Sequence, residues 1–270
     1  NSIAHDNGVL DTWYGGFAVD VVGRSSHDII FDRSESYNNG DGFRIGPHDP
    51  HYVISTAPYN VLISYSFSHD NFKGYGNSNG FIFNNAYNSK MSHSVAFRNP
   101  DTGFGSQGPG ADNNVFEYMV AFGATGANGA NGRGFQVGNT AITPAVIGGK
   151  DNVIHHSYSF DNWKRGFTDP PAAQNFHYYH NTVFRNNLGQ VSDYWGILME
   201  AGDGQGGAPV TQTATLKNSV TYLHGNAEDM AIAAGAVFEM SNNLVGDGKV
   251  GGLNFKSGDP KFKGKSTGPS

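Results

Sequence analysis

Two aspartates carry the first chemical signal in this chain. Asp41 stands in Asn38-Asn-Gly-Asp-Gly-Phe-Arg44, and Asp20 precedes it in Val19-Asp-Val-Val22. Carboxylates held side by side repel unless a cation lies between them, and oxygen donors suit Ca²⁺, which takes about six to eight of them. Asp20 and Asp41 are therefore candidate metal ligands, with Ca²⁺ the implied ion. An Asp before Gly is also a turn residue that bonds its own backbone, so Asp41 has a structural reading beside the metal one.

Cationic side chains supply the second signal. Arg44 can hold a carboxylate through two parallel N–H donors, but a guanidinium hardly ever gives up a proton and makes a poor base. Lys73, in His69-Asp-Asn-Phe-Lys-Gly-Tyr75, is a candidate base, because neighbouring cations lower the pKa of an amine. The competing reading is an exposed loop lysine. Lys164 and Arg165 form a further cationic pair, either a solvated turn or a substrate contact with Trp163 beside it as a sugar-stacking ring. His48, before Asp49-Pro-His51, and Gln136 are candidate substrate contacts. His155 and His156 are adjacent, and on a strand they point to opposite faces. No His-Glu-x-x-His string occurs either, so no histidine metal site is expected.

These residues need a frame to position them. An apolar run ending in an aromatic and followed by a polar turn recurs as Ile29 to Tyr37, Val61 to Phe67, His93 to Phe97, Tyr118 to Phe122, Val153 to Phe160 and His180 to Phe184. Weaker copies span Leu216 to Tyr222 and Phe238 to Leu244. A Gly-Phe series at Phe17, Phe43, Phe81, Phe104, Phe135 and Phe167 interleaves with them. Apolar and polar residues alternate with the strand period. Repeats of 24 to 38 residues that cannot bury their apolar faces alone must stack. The expected fold is all-β, a right-handed parallel β-helix, with inward aromatic columns and Asn ladders at the turns. A propeller needs four strands per repeat, and this repeat holds two or three.

With each Phe of Gly-Phe facing inward, the next residue faces out. That file is Ala18, Arg44, Ile82, Gly105, Gln136 and Thr168, with Asp20, Gly46, Asn84 and Gly138 two residues further on. Asp20 and Asp41 are then expected as neighbours on adjacent coils. We read one domain over 1–270, with clear coils over 1–190, weaker coils with loops over 191–257 and a polar tail over 258–270. Ser2-Ile-Ala-His-Asp-Asn7 matches Ser66-Phe-Ser-His-Asp-Asn71. The first residues therefore lie inside a coil, and upstream coils or another chain are expected to cap it.

Composition narrows the classes. Charged residues are only 15%, and 23 acidic against 17 basic residues give a net charge of −6. That balance holds no general attraction for nucleic acid or an anionic membrane. The 38 glycines weigh against a helical bundle, and the absence of cysteine excludes disulfides, zinc-thiolate sites and cysteine nucleophiles. No apolar run approaches the ~18 residues that span a bilayer. The Gly-rich stretches 123–134 and 202–207 lack the Gly-Lys-Ser/Thr ending of a phosphate loop and read as walls of a groove. No Asp-Asp pair offers the two carboxylates of a polygalacturonase-type hydrolase.

Three strings, Tyr37-Asn-Asn-Gly-Asp-Gly-Phe43, Gly132-Arg-Gly-Phe-Gln-Val-Gly138 and Ser159-Phe-Asp-Asn-Trp-Lys-Arg-Gly-Phe167, resemble the family 9 polysaccharide lyases. These are right-handed β-helix pectate lyases and their relatives, and the likeness spans roughly residues 1–190. It implies Ca²⁺-assisted β-elimination on a uronic-acid polymer, with a metal site in an Asp-Asp-Gly-Phe-Asp string and a lysine base in a Gly-Phe-Lys string one coil later. The chain departs at both places. Asp41 matches the second Asp, but Gly40 and Arg44 stand at the first and third, and Ile82 or Gln136 occupies the lysine position.

The chemistry sets what a site must supply. The C5 proton beside a uronate carboxylate is weakly acidic, so the carboxylate is neutralised before a base takes the proton. The expectation is a secreted or periplasmic lyase of an acidic, pectate-like polysaccharide. The alternatives are a non-catalytic carbohydrate-binding or adhesin-like β-helix, one piece of a larger β-helix assembly, and an epimerase that shares the proton abstraction.

Overall fold

A computed structural model of the chain describes residues 1–7, 15–19, 26–46, 57–72, 78–108, 110–138, 149–169, 173–189, 195–199, 213–222, 224, 229–232, 237–246 and 250–251. Among them the chain winds into a right-handed parallel β-helix. Sheet A runs from Ile3–His5 to Leu244–Val245 and sheet B from Gly15–Val19 to Val250–Gly251, with nine described strands each. Sheet C runs from His27–Asp32 to Val237–Ser241, with eight. The recurrent apolar unit is a sheet C strand, a corner and a sheet A strand, as in His27–Asp32 followed by Glu35–Tyr37. Gly-Phe marks sheet B. The weaker repeats over 191–257 still supply strands to all three sheets, and 258–270 lies outside the described residues. No helix of the described residues is long and apolar enough to cross a membrane.

The core is a vertical file. Register aligns Phe17, Phe43, Phe81, Phe104, Phe135 and Phe167, continued by Ile197 and Met230. Phe43 and Phe81 stack with centroids 4.6 Å apart, and Phe81 and Phe104 at 4.9 Å. Each fully buried Phe stabilises by about 1.5–3 kcal/mol, which makes this file the main apolar support of the stack. The glycine before each Phe has a steric cause. A Cβ on Gly42 would run into Ser68 Oγ and the Gly80 carbonyl, and one on Gly134 into Ser159 Oγ and the Gly166 carbonyl.

The expected ladders are present. At the turn between sheets A and B, the backbone N–H of Asn39 donates to Asn71 Oδ1 at 3.0 Å, that of Asn71 to Asn99 at 3.3 Å, and that of Asn162 to Asn186 at 3.2 Å. At the turn between sheets C and A, Ser34, Ser66 and Ser94 form a serine ladder of the same kind. Such bonds satisfy turn amides that stacking would otherwise bury unpaired.

Not every recurring aromatic points inward. From Ile3–His5 to Val220–Tyr222 the sheet A strands are three residues long, so when the middle residue faces the core the first and third face out. The strand-ending rings His5, Tyr37, His69, Phe97, Phe122, Phe160, Phe184 and Tyr222 therefore form a continuous outer column, with centroids 4.5 to 5.8 Å apart. Their faces are spent on one another and solvent meets their edges.

The corner between sheets C and A is built from left-handed residues, among them Tyr65, His93, Tyr118, His156 and His180, with φ between 49° and 55°. Each non-glycine there costs roughly 1 kcal/mol or more, offset in part by stacking with its neighbours above and below. This corner corrects one expectation. His155 ends a strand and His156 turns, so the two rings converge, with Nδ1 atoms 2.9 Å apart.

Candidate functional site

The outer face of sheet B gathers the side chains with chemistry to offer. The outward file predicted from Gly-Phe is observed: Ala18, Arg44, Ile82, Gly105, Gln136 and Thr168 are in register, followed by Leu198 and Ala231. Arg44, Gln136 and Thr168 are nonetheless buried, at 5%, 7% and 1% exposure. This file is a support more than an open contact surface. The buried Thr168 hydroxyl makes no hydrogen bond.

A second file starts the strands of sheet B, two residues before each Phe. It holds Gly15 and Asp41 in register, then Thr102 and Arg133 in register. Pairing of Phe135 with Phe167 sets Arg165 beside Arg133, and the Gly134 amide donates to the Arg165 carbonyl at 2.9 Å. Arg133 Nη1 donates to Gln136 Oε1 at 2.5 Å, and Thr102 Oγ1 lies 3.5 Å from the same oxygen. Arg133 and Arg165 are half-buried, and the Arg165 guanidinium lies 5.9 Å from the centre of the Trp195 ring. The two arginines stand one coil apart, and guanidinium groups match carboxylates with their forked donors.

The candidates from sequence are scattered over this frame. Asp20, His48 and Lys73 lie outside the described residues. Asp41 is buried, and its Oδ1 accepts the backbone N–H and the side-chain amide of Asn79 at 2.9 and 3.0 Å. The expected stacking of Asp20 on Asp41 lies outside the described residues, which fix only the strand beside it. Gly15 stands opposite Asp41, whereas Val19, the residue before Asp20, stands opposite Ile45 at the other end of the strand. Asp41 Oδ1 is engaged by Asn79, and no group of three or more His, Asp or Glu side chains converges among the described residues.

Arg165 stands one coil from Arg133, whose guanidinium reaches Gln136. Lys164 precedes Arg165, and its amide donates to the Gly132 carbonyl at 3.0 Å. Trp163 is 41% exposed. Its ring meets Gly126 of the coil before and Gly189 of the coil after, its Cβ meets Gly132, and a Cβ at any of these glycines would collide with it. The Gly-rich stretch 123–134 thus makes room for Trp163 at the edge of the cationic file.

Arg133, Thr102 and Trp195 are missing from the sequence-level candidates. Their signal was available: each stands two residues before the inward residue of its coil, the position that Asp41 and Arg165 occupy. A groove of about 520 Å³ lies elsewhere, over the first coils of sheet A, lined by Ile3, Arg33, Glu35, Tyr65, Phe67 and His93 among others. It touches none of the sheet B residues.

No family model matches the chain, and no curated protein matches it. Among solved structures it is similar to the A-module of the mannuronan C-5 epimerase AlgE4 of Azotobacter vinelandii, with a TM-score of 0.61 and 14% identity over 85% of this chain and 56% of that one. It is also similar to the pectate lyase Pel9A, with a TM-score of 0.49 and 17% identity over 84% of this chain and 51% of that one. The chain thus spans about half the length of these structures. The AlgE4 likeness bears on the fold, and it agrees with the parallel β-helix described above.

Proposed function

We propose that this protein binds an acidic polysaccharide, a uronic-acid polymer, on the outer face of sheet B and acts on it by removing the C5 proton. The observation that carries this reading is the pair Arg133 and Arg165, held side by side by the register of Phe135 and Phe167. Each guanidinium can clamp and neutralise a sugar carboxylate, which acidifies the adjacent C5–H bond. Trp195 and Trp163 border the pair as apolar surfaces for sugar rings.

In the lyase form of this reading, a base takes the C5 proton, the electron pair forms the C4–C5 double bond, and the oxygen at C4 leaves with a proton from solvent. Lys73 is the proposed base. Ca²⁺ is a further proposed ligand, and in this scheme the neutralising charge comes from arginine. The likeness to a C-5 epimerase favours a second outcome of the same abstraction: return of a proton to C5 with the chain intact. A protein with this substrate is proposed to be secreted or periplasmic.

Incubation with polygalacturonate, and separately with polymannuronate, in D₂O followed by proton NMR distinguishes these outcomes. Unsaturated ends identify a lyase, and deuterium at C5 without cleavage identifies an epimerase. Lys73→Ala is expected to abolish turnover while leaving polymer binding intact. Binding without either change identifies a glycan-binding β-helix, and absence of binding to every uronic-acid polymer overturns the proposal.

A further inference from the structure

The corner between sheets C and A carries a pair of imidazoles remote from sheet B. His155 ends the strand Val153–His155, and His156 follows with φ of 52°. On a continuing strand the two rings would diverge. The left-handed turn instead swings the second ring round to the first and leaves the Nδ1 atoms 2.9 Å apart.

Both rings are held in place. His156 lies between Tyr118 and His180, with ring centroids 5.1 and 4.8 Å away. His155 stands edge-on to His156 at 84°, and its Nε2 faces Glu117 Oε2 at 3.5 Å. Glu117 is itself tied to Lys90 at 2.5 Å and Ser92 at 3.0 Å. A carboxylate on the far nitrogen is the usual support of a metal-binding histidine, because it fixes the tautomer and aims the other lone pair outward.

The separation is that of a hydrogen bond between the two rings, and it also matches one metal geometry. Two bonds of about 2.05 Å meeting at a right angle put their nitrogens about 2.9 Å apart, whereas a tetrahedral angle puts them about 3.3 Å apart. Right-angled nitrogen donors suit the tetragonal geometry of Cu²⁺ or Ni²⁺, and Cu²⁺ leads the affinity order.

We propose that His155 and His156 form a two-ligand site for a divalent transition metal, Cu²⁺ foremost, with Glu117 as the positioning residue and water completing the shell. Two side chains suffice for this proposal, and no larger group converges among the described residues.

Titration of the whole chain with Cu²⁺ alone, followed by calorimetry and electron paramagnetic resonance, is expected to show a first equivalent with two nitrogen ligands. His155→Ala and His156→Ala each remove it, Glu117→Gln weakens it about tenfold, and His27→Ala leaves it unchanged. Circular dichroism of each variant separates loss of the site from loss of the fold. A first equivalent that survives both His155→Ala and His156→Ala overturns the proposal, as does a wild-type protein that binds no Cu²⁺ through nitrogen.

Discussion

Asp41 and Asn79 are joined by two hydrogen bonds through one oxygen: Asp41 Oδ1 accepts the backbone N–H of Asn79 at 2.9 Å and its side-chain amide at 3.0 Å. Both residues are buried, so the carboxylate ties one coil to the next. Asp41→Ala removes that acceptor and is expected to cost about 1–3 kcal/mol of stability. Asp41→Asn, which keeps an oxygen in place, costs less. Urea unfolding measures both, and the difference is expected to be the same with added Ca²⁺ as with a chelator. Calcium-dependent stabilisation of the wild type that Asp41→Asn abolishes would restore the metal reading of Asp41.

His224 makes the upper coils sensitive to acid. It occupies the position that asparagines fill in earlier coils, and the Asn186 amide donates to its Nδ1 at 3.1 Å. An accepting Nδ1 carries no proton. Thr221 Oγ1 lies 2.9 Å from Nε2 and donates to the Asp229 carbonyl at 2.9 Å, which assigns the ring proton to Nε2. Burial pushes the imidazole down to about 4. The unfolded chain binds a proton near pH 6.5 and the folded one does not, so the stabilisation is whole above pH 6.5 and is lost as pH falls towards 4. The loss amounts to about 3 kcal/mol. His224→Asn keeps an acceptor for the Asn186 amide and is expected to flatten this part of the profile, as read by chemical unfolding between pH 4 and 7.

The asparagine ladder can be broken at Asn162. Its Oδ1 accepts the Ala124 amide at 3.0 Å, and its Nδ2 donates to Ser159 Oγ at 3.1 Å and Asn186 Oδ1 at 2.8 Å. Asn162→Ala strands a buried N–H and leaves a small void, and the expected cost is about 2–4 kcal/mol. Asn38→Ala, at an exposed-side bond to Asp6, is expected to cost under about 1 kcal/mol. Equal losses in thermal and urea unfolding for the two variants would contradict the ladder's role.

The coil was legible because a steric rule wrote it into the sequence. Glycine precedes each inward Phe where a Cβ has no room, as at Gly42 and Gly134, so the motif reported the strand, its inward residue and the outward file together. The direction of Phe97, Phe122 and Phe160 was less legible. A three-residue strand gives too little alternation to say which of its residues face out. Arg133 went unremarked because its importance lies in standing beside Arg165, and that adjacency depends on the register of two coils separated by loops of unequal length. His155 and His156 misled for a local reason: nothing in their identity announces a left-handed turn, which more often recruits Gly or Asn.

The most direct test of the sheet B site is equilibrium binding of a uronic-acid polymer to the wild type and to Arg133→Gln, Arg165→Gln and the double variant. Arg185→Gln, whose guanidinium pairs with Asp161 at 2.7 Å at the corner between sheets A and B, serves as the charge-matched control. Each sheet B substitution is expected to weaken binding about tenfold and the double variant about a hundredfold, with the control unchanged. Wild-type affinity in the folded double variant, or an equal loss in Arg185→Gln, would contradict a carboxylate cradle formed by Arg133 and Arg165.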